Sequence, residues 1–111
     1  MIFMTLQQKL KKLNNGFAAL SVPFSHYWRP RKEPPFGAWT EQGEGDSYYT
    51  GNQKTEQIIV GTADYYTKVE FDPVVDEVQD MLAVNTSAWR LESVQYEEET
   101  GLIHFEWTWE V

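Results

Sequence analysis

From Ile103 to Val111 the chain alternates: Ile103, Phe105, Trp107, Trp109 and Val111 are apolar, and His104, Glu106, Thr108 and Glu110 between them are polar. A period of two marks a half-buried strand, one face toward a core and the other toward water or a partner. Trp89 to Tyr96 precedes it across Glu97-Glu98-Glu99-Thr100-Gly101. A glycine at the end of that turn can take the left-handed conformation, so the two segments predict a terminal β-hairpin. Lys54 to Lys68, rich in Ile, Val, Thr and Tyr, predicts one central strand. Ile58, Val60, Thr62, Asp64 and Tyr66 fall on one of its faces, and Ile59, Gly61, Ala63 and Tyr65 on the other. The small residues Gly61 and Ala63 are expected to leave room for a helix to pack closely on that second face. Phe24 to Arg29 and Phe36 to Thr40 predict two short strands, separated by the basic, proline-rich turn RPRKEPP.

Two segments carry the helical period instead. Thr5 with Gln8 three residues on forms a capping-box pattern, and Leu6, Leu10, Leu13, Phe17 and Leu20 recur at helical spacing, which predicts an amphipathic helix over residues 5–20. Asn14-Asn15-Gly16 should weaken its last turns. In EFDPVVDEVQDML, Asp72 suits the N-cap, Pro73 the first helical position, and Asp76 and Glu77 the positive end of the helix dipole. Val74, Val75, Val78, Met81 and Leu82 make one apolar stripe, so a second helix is expected over residues 72–83. Residues 41–53, EQGEGDSYYTGNQ, have three glycines and no apolar period, and predict a flexible loop carrying Tyr48 and Tyr49. The expected fold class is α+β in the order α-β-β-β-α-β-β: a mainly antiparallel sheet of four or more strands with two helices packed on one face. Val75, Val78, Leu82, Leu6, Leu10, Trp107 and Phe105 should share the core.

Composition narrows the class. At 111 residues the chain is expected to form a single domain, residues 1–111, and 15% aromatic content implies a packed core despite a net charge of −8. Cysteine is absent, which removes disulfides, thiolate metal sites and a cysteine nucleophile. There is no run of about 18 apolar residues of the kind that spans a membrane. Met1 is not followed by a signal-peptide pattern, so a soluble protein made and used in the cytoplasm is expected. The charge is split. Lys9, Lys11, Lys12, Arg29, Arg31 and Lys32 lie before residue 33, and all 17 acidic residues follow, so the first 32 residues carry +6 and the rest −14. Such asymmetry can pair the basic part of one subunit with the acidic part of another. An acidic chain without a basic, aromatic-lined strand pair does not suit nucleic-acid recognition.

Candidate chemistry is sparse. His26 and His104 have no metal-ligand spacing around them, the glycines of GEGDSYYTG lack the context of a phosphate-binding loop, and Ser25 and Ser47 sit in no nucleophile elbow. Glu97, Glu98 and Glu99 form a charge run at a turn, with no sign of the distinct environments an acid/base pair needs. No enzyme activity, cofactor or metal is expected.

The succession VPFSHYW, PPFGAWTEQGEG, ADYYTKVEFDPVVDEVQDML and YEEETGLIHFEWTWEV resembles the small tail-terminator and tail-completion proteins of long-tailed bacteriophages, also called minor capsid or head–tail joining proteins. Tyr66-Thr67-Lys68, Asp72-Pro73 and Glu99-Thr100-Gly101-Leu102 carry the likeness most strongly. It implies a non-enzymatic subunit that assembles with itself into a ring, usually six-fold, at the head-proximal end of the tail. There it would stop tube polymerisation and meet the head connector. The implied partners are tail-tube and connector proteins, with no small-molecule substrate, no nucleic-acid specificity and no membrane. The implied location is the virion, reached from the host cytoplasm. On the residues alone, Arg29, Arg31, Lys32, Tyr48 and Tyr49 are expected to form one side of a subunit–subunit or subunit–tube contact. Asp76, Glu77 and Asp80, or Glu97, Glu98 and Glu99, would form the other. A small acidic immunity or antitoxin-type protein, whose carboxylates meet a basic toxin, is the alternative reading of the same composition.

Overall fold

The computed structural model describes residues 4–30, 33–46, 48–50 and 53–111, and at 48–50 and 53–55 the backbone alone. Helix α1, Leu6–Ala18, opens on the expected capping box: Gln8 N–H donates to Thr5 Oγ1 and the Gln8 side chain accepts from Thr5 N–H. Its Asn-Asn-Gly segment stays helical, because Leu13 and Phe17 on either side of it are buried. Strand β1, Phe24–His26, is followed by β2, Phe36–Glu44, then by β3, Tyr48–Thr50, and β4, Gln53–Glu56, which pair only with each other. Strand β5, Ile59–Thr67, leads to helix α2, Val74–Asn85, and the hairpin of β6, Ala88–Glu97, and β7, Leu102–Glu110. Gly101 closes that hairpin at φ 71°, the left-handed conformation the sequence suggested.

The main sheet has five strands in the order β1-β2-β5-β7-β6, antiparallel throughout except for the parallel β1–β2 pair. With both helices on one face this is an α+β fold in the main-sheet order α-β-β-β-α-β-β. The core lies between that face and the helices. Leu10, Leu13 and Phe17 of α1 and Val74, Val78, Met81 and Leu82 of α2 meet Trp39, Ala63, Tyr65, Trp107 and Trp109 from the sheet. Leu6, Val75 and Phe105 pack at its margin, partly buried. The two terminal tryptophans are thus core, and Trp107 also donates its indole N–H to Gln79 at 3.1 Å.

Three expectations need correction. Residues 41–53 are not one loop: β2 continues to Glu44, and β3 and the first residue of β4 lie in the same segment. Pairing with β5 carries β2 onward past a bulge between Glu41 and Gly43, through backbone hydrogen bonds that a polar side-chain pattern does not report. The stretch Lys54 to Lys68 is two strands, not one, interrupted at Gln57 and Ile58. The carbonyl of Gln57 accepts from the Lys9 ammonium, and that of Ile58 from Gly45 N–H at 2.8 Å, so both carbonyls are used outside the main ladder. Finally, the helices pack on this face at Ala63 as expected, but what presses on Gly61 is an indole and a strand carbonyl. A Cβ there would lie 2.3 Å from the Trp109 ring and 2.3 Å from the Thr40 carbonyl, so the glycine admits the indole of its cross-strand partner.

Candidate functional site

The connection from β5 to α2 is built around one carboxylate. Asp72 accepts from Tyr65 O–H at 2.7 Å, from Thr67 O–H at 2.7 Å and from Val74 N–H at 2.9 Å. Val69 N–H donates to Thr67 Oγ1 at 3.1 Å. Burial alone would raise the Asp72 carboxyl, but these three donors hold it below its ordinary value. Tyr65 is pushed up in turn, first by burial and then by its bond to Asp72. The clamp fixes a turn whose tip, Phe71, has φ 57° and is 92% exposed. A bulky residue in the left-handed region is uncommon and costs conformational energy, so an aromatic side chain held there in water is a candidate contact residue.

Phe71 overlooks a groove of about 440 Å³ floored by Val75, Ile103 and Phe105 and rimmed by Glu70 and Asp76. The same face of the sheet runs on to the edge strand. Leu91, Val94 and Tyr96 stand opposite Trp107, Phe105 and Ile103 in register, yet all three are exposed and lie outside the core that holds Trp107 and the α2 stripe. The result is a continuous apolar surface with acidic margins at one edge of the sheet.

The opposite edge differs in both shape and charge. His26 lies between Tyr27 and Trp39, with ring centroids at 3.7 and 3.8 Å, and its Nε2 is 2.7 Å from Glu41. Tyr27 also donates its hydroxyl to Glu41, and this bond is the main reason its phenol is raised above the ordinary value. Burial would raise Glu41, but the bonds from Tyr27 and His26 bring it below the usual carboxylate value. At φ 82° Tyr27 turns the chain away from the strand, leaving Trp28 65% exposed. Arg29 then lies over the outer face of the sheet, 5.2 Å from the Phe36 ring centre and 4.3 Å from that of Tyr66.

On that outer face His104 stacks on Tyr66 at 4.3 Å and reaches Asp64 at 2.7 Å. A wide groove of about 730 Å³ beside it is lined by Arg29, Glu33, Lys68 and Glu99 among others. Arg29 and the hairpin tip are therefore neighbours within one chain. Among the described residues no group of three or more His, Asp or Glu is placed to hold a metal ion. Each histidine is committed to one carboxylate and one or two aromatic faces, and Ser25 pairs beside Ala38, on the sheet face opposite His26. Among the described residues no helix is long and apolar enough to cross a membrane.

The residues expected to form a contact are thus dispersed. Asp76 borders the apolar groove, and Asp80 is exposed on α2. Glu77 instead accepts from Ser21 N–H at 3.1 Å and Ser21 O–H at 2.7 Å, tying α2 to the end of α1. Glu97 accepts from Thr100 O–H at 3.0 Å, and Glu98 and Glu99 are exposed at the hairpin tip. Lys9, counted with the basic residues, is buried on the Gln57 carbonyl. Arg31, Lys32 and the side chains of Tyr48 and Tyr49 lie outside the described residues. Sequence reading passed over Trp28 and Phe71. The signal for Phe71 was available: it belongs to neither the strand alternation before it nor the helical stripe after it, so no core position accounts for it.

No protein-family model matches the chain, and no curated protein matches its sequence.

Proposed function

We propose that this chain is a non-enzymatic structural subunit of a bacteriophage or prophage. In this reading it is a tail-terminator or tail-completion protein that forms a ring at the head-proximal end of the tail and joins it to the connector. The observation that carries the ring is the pairing of two unlike surfaces on opposite edges of one sheet. One is apolar with acidic margins and the other is aromatic beside Arg29. Unlike patches on one subunit suit head-to-tail contacts, which close into a ring when the rotation from each subunit to the next completes a full turn. The sequence resemblance to tail terminators supplies the phage context, and the paucity of chemical groups suits a structural role.

The ring should form from the chain alone at high protein concentration, and sedimentation at low and high salt is the test. The expected result is a species larger than a dimer that dissociates as salt rises, because opposite charges contribute to the contact. A monomer or closed dimer at every concentration and salt would overturn the ring. It would favour the small acidic inhibitor, which needs no self-association.

A further inference from the structure

Resting on the ring reading above, we infer that the groove beneath Phe71 receives the Trp28 corner of the neighbouring subunit. Both elements are exposed aromatics presented by left-handed backbone: Phe71 itself, and Trp28 immediately after Tyr27. Such conformations are retained where surrounding structure enforces them, and here Asp72 anchors one and Glu41 the other.

The groove is not filled from within its own subunit: Trp28 is 65% exposed and is not among the residues that line it. Charge selects between the two ways a second copy could dock. Two grooves placed face to face would bring Glu70 and Asp76 of both copies together, which is unfavourable. A groove meeting the Trp28 corner would place those acids near Arg29, the next residue, which is favourable. Tryptophan seated in an apolar pocket with an arginine beside it also has the composition of an interface hot spot. The contact is therefore heterologous, each subunit giving a corner to one neighbour and a groove to the other.

The absence of cysteine makes the test clean. Trp28→Cys and Phe71→Cys are made singly and together, and the reduced variants are checked for an unchanged thermal melt, expected because both side chains are exposed. On mild oxidation the double variant should yield a ladder of covalent oligomers. The two single variants mixed should stop at dimers, and each alone should stay monomeric on a denaturing gel. Separately, Phe71→Asp should raise the concentration needed for assembly by about 30-fold or more, the effect of losing a hot-spot side chain. Dimers from either single variant alone would mean a two-fold contact and overturn the assignment. If no cross-link forms and Phe71→Asp assembles normally while the parent chain sediments as a ring, the ring stands and this contact is wrong. If the parent chain does not assemble either, the ring reading itself has failed.

Discussion

Gly61→Ala should destabilise the protein by about 3 kcal/mol or more, at the upper end of overpacking effects. The added methyl would stand 2.3 Å from the Thr40 carbonyl on β2 and 2.3 Å from the indole of Trp109 on β7. Neither obstacle is the free end of a flexible chain: one is backbone in the ladder, and the other is a ring 1% exposed in the core. The strands must move apart or the indole must leave, and either opens the packing between sheet and helices. Gly43→Ala is the control, because nothing lies within 4 Å of a Cβ at that position, and its effect should stay within about 1 kcal/mol. Denaturation midpoints of the two variants measure the difference. Equal midpoints would show that Trp109 does not occupy the space above Gly61.

The second large effect belongs to the turn that presents Phe71. Asp72→Ala removes the acceptor for Tyr65 and Thr67, both 0% exposed, and for Val74 N–H. Two buried hydroxyl protons left without their acceptor should cost about 3–5 kcal/mol together with the lost charge-assisted bonds. The carboxylate also makes stability depend on pH with a definite sign. Its folded pKa lies below the ordinary value of about 3.9, so its contribution is complete above that value and is lost as pH falls through the depressed one. The gap in melting temperature between the parent and Asp72→Asn should therefore be full at neutral pH and narrow steadily below about pH 4. A gap that stays constant down to the most acidic solution would mean that Asp72 is not held ionised by its donors. Loosening this turn should also weaken the proposed assembly, because Phe71 is displayed by it.

Much of this architecture is readable from the chain because local and tertiary preferences agree. The Thr5–Gln8 box, the Asp72-Pro73 helix start, the Gly101 turn and the period of two in β7 each have a short-range cause, and each is found where the residues place it. Helix α2 begins at Val74 with Pro73 as its cap, one residue later than read, while Asp72 still supplies the capping bond. What escaped reading has long-range causes. Polar residues 41–44 extend β2 because β5 lies beside them, and Gly61 is small because Trp109 crosses over it. Lys9 belongs to the interior because the Gln57 carbonyl, 48 residues away, is turned toward it. The candidate surface was harder still. Alternation in β6 shows that Val94 and Tyr96 share a face with the core residues of β7, but not that this part of the face stays uncovered. Charged residues were correspondingly poor guides, since Glu77 and Lys9 serve internal bonds and Arg29 stacks on Phe36 and Tyr66.

In the proposed function this protein caps a tail by forming a ring on it. The most direct measurement is electron microscopy of tail tubes polymerised from the tube protein of the same phage, with and without the purified chain. A ring seated on one end of each tube, with tube growth halted in proportion to added protein, is the predicted result. Tubes that keep growing with bare ends while the chain remains in solution would contradict it.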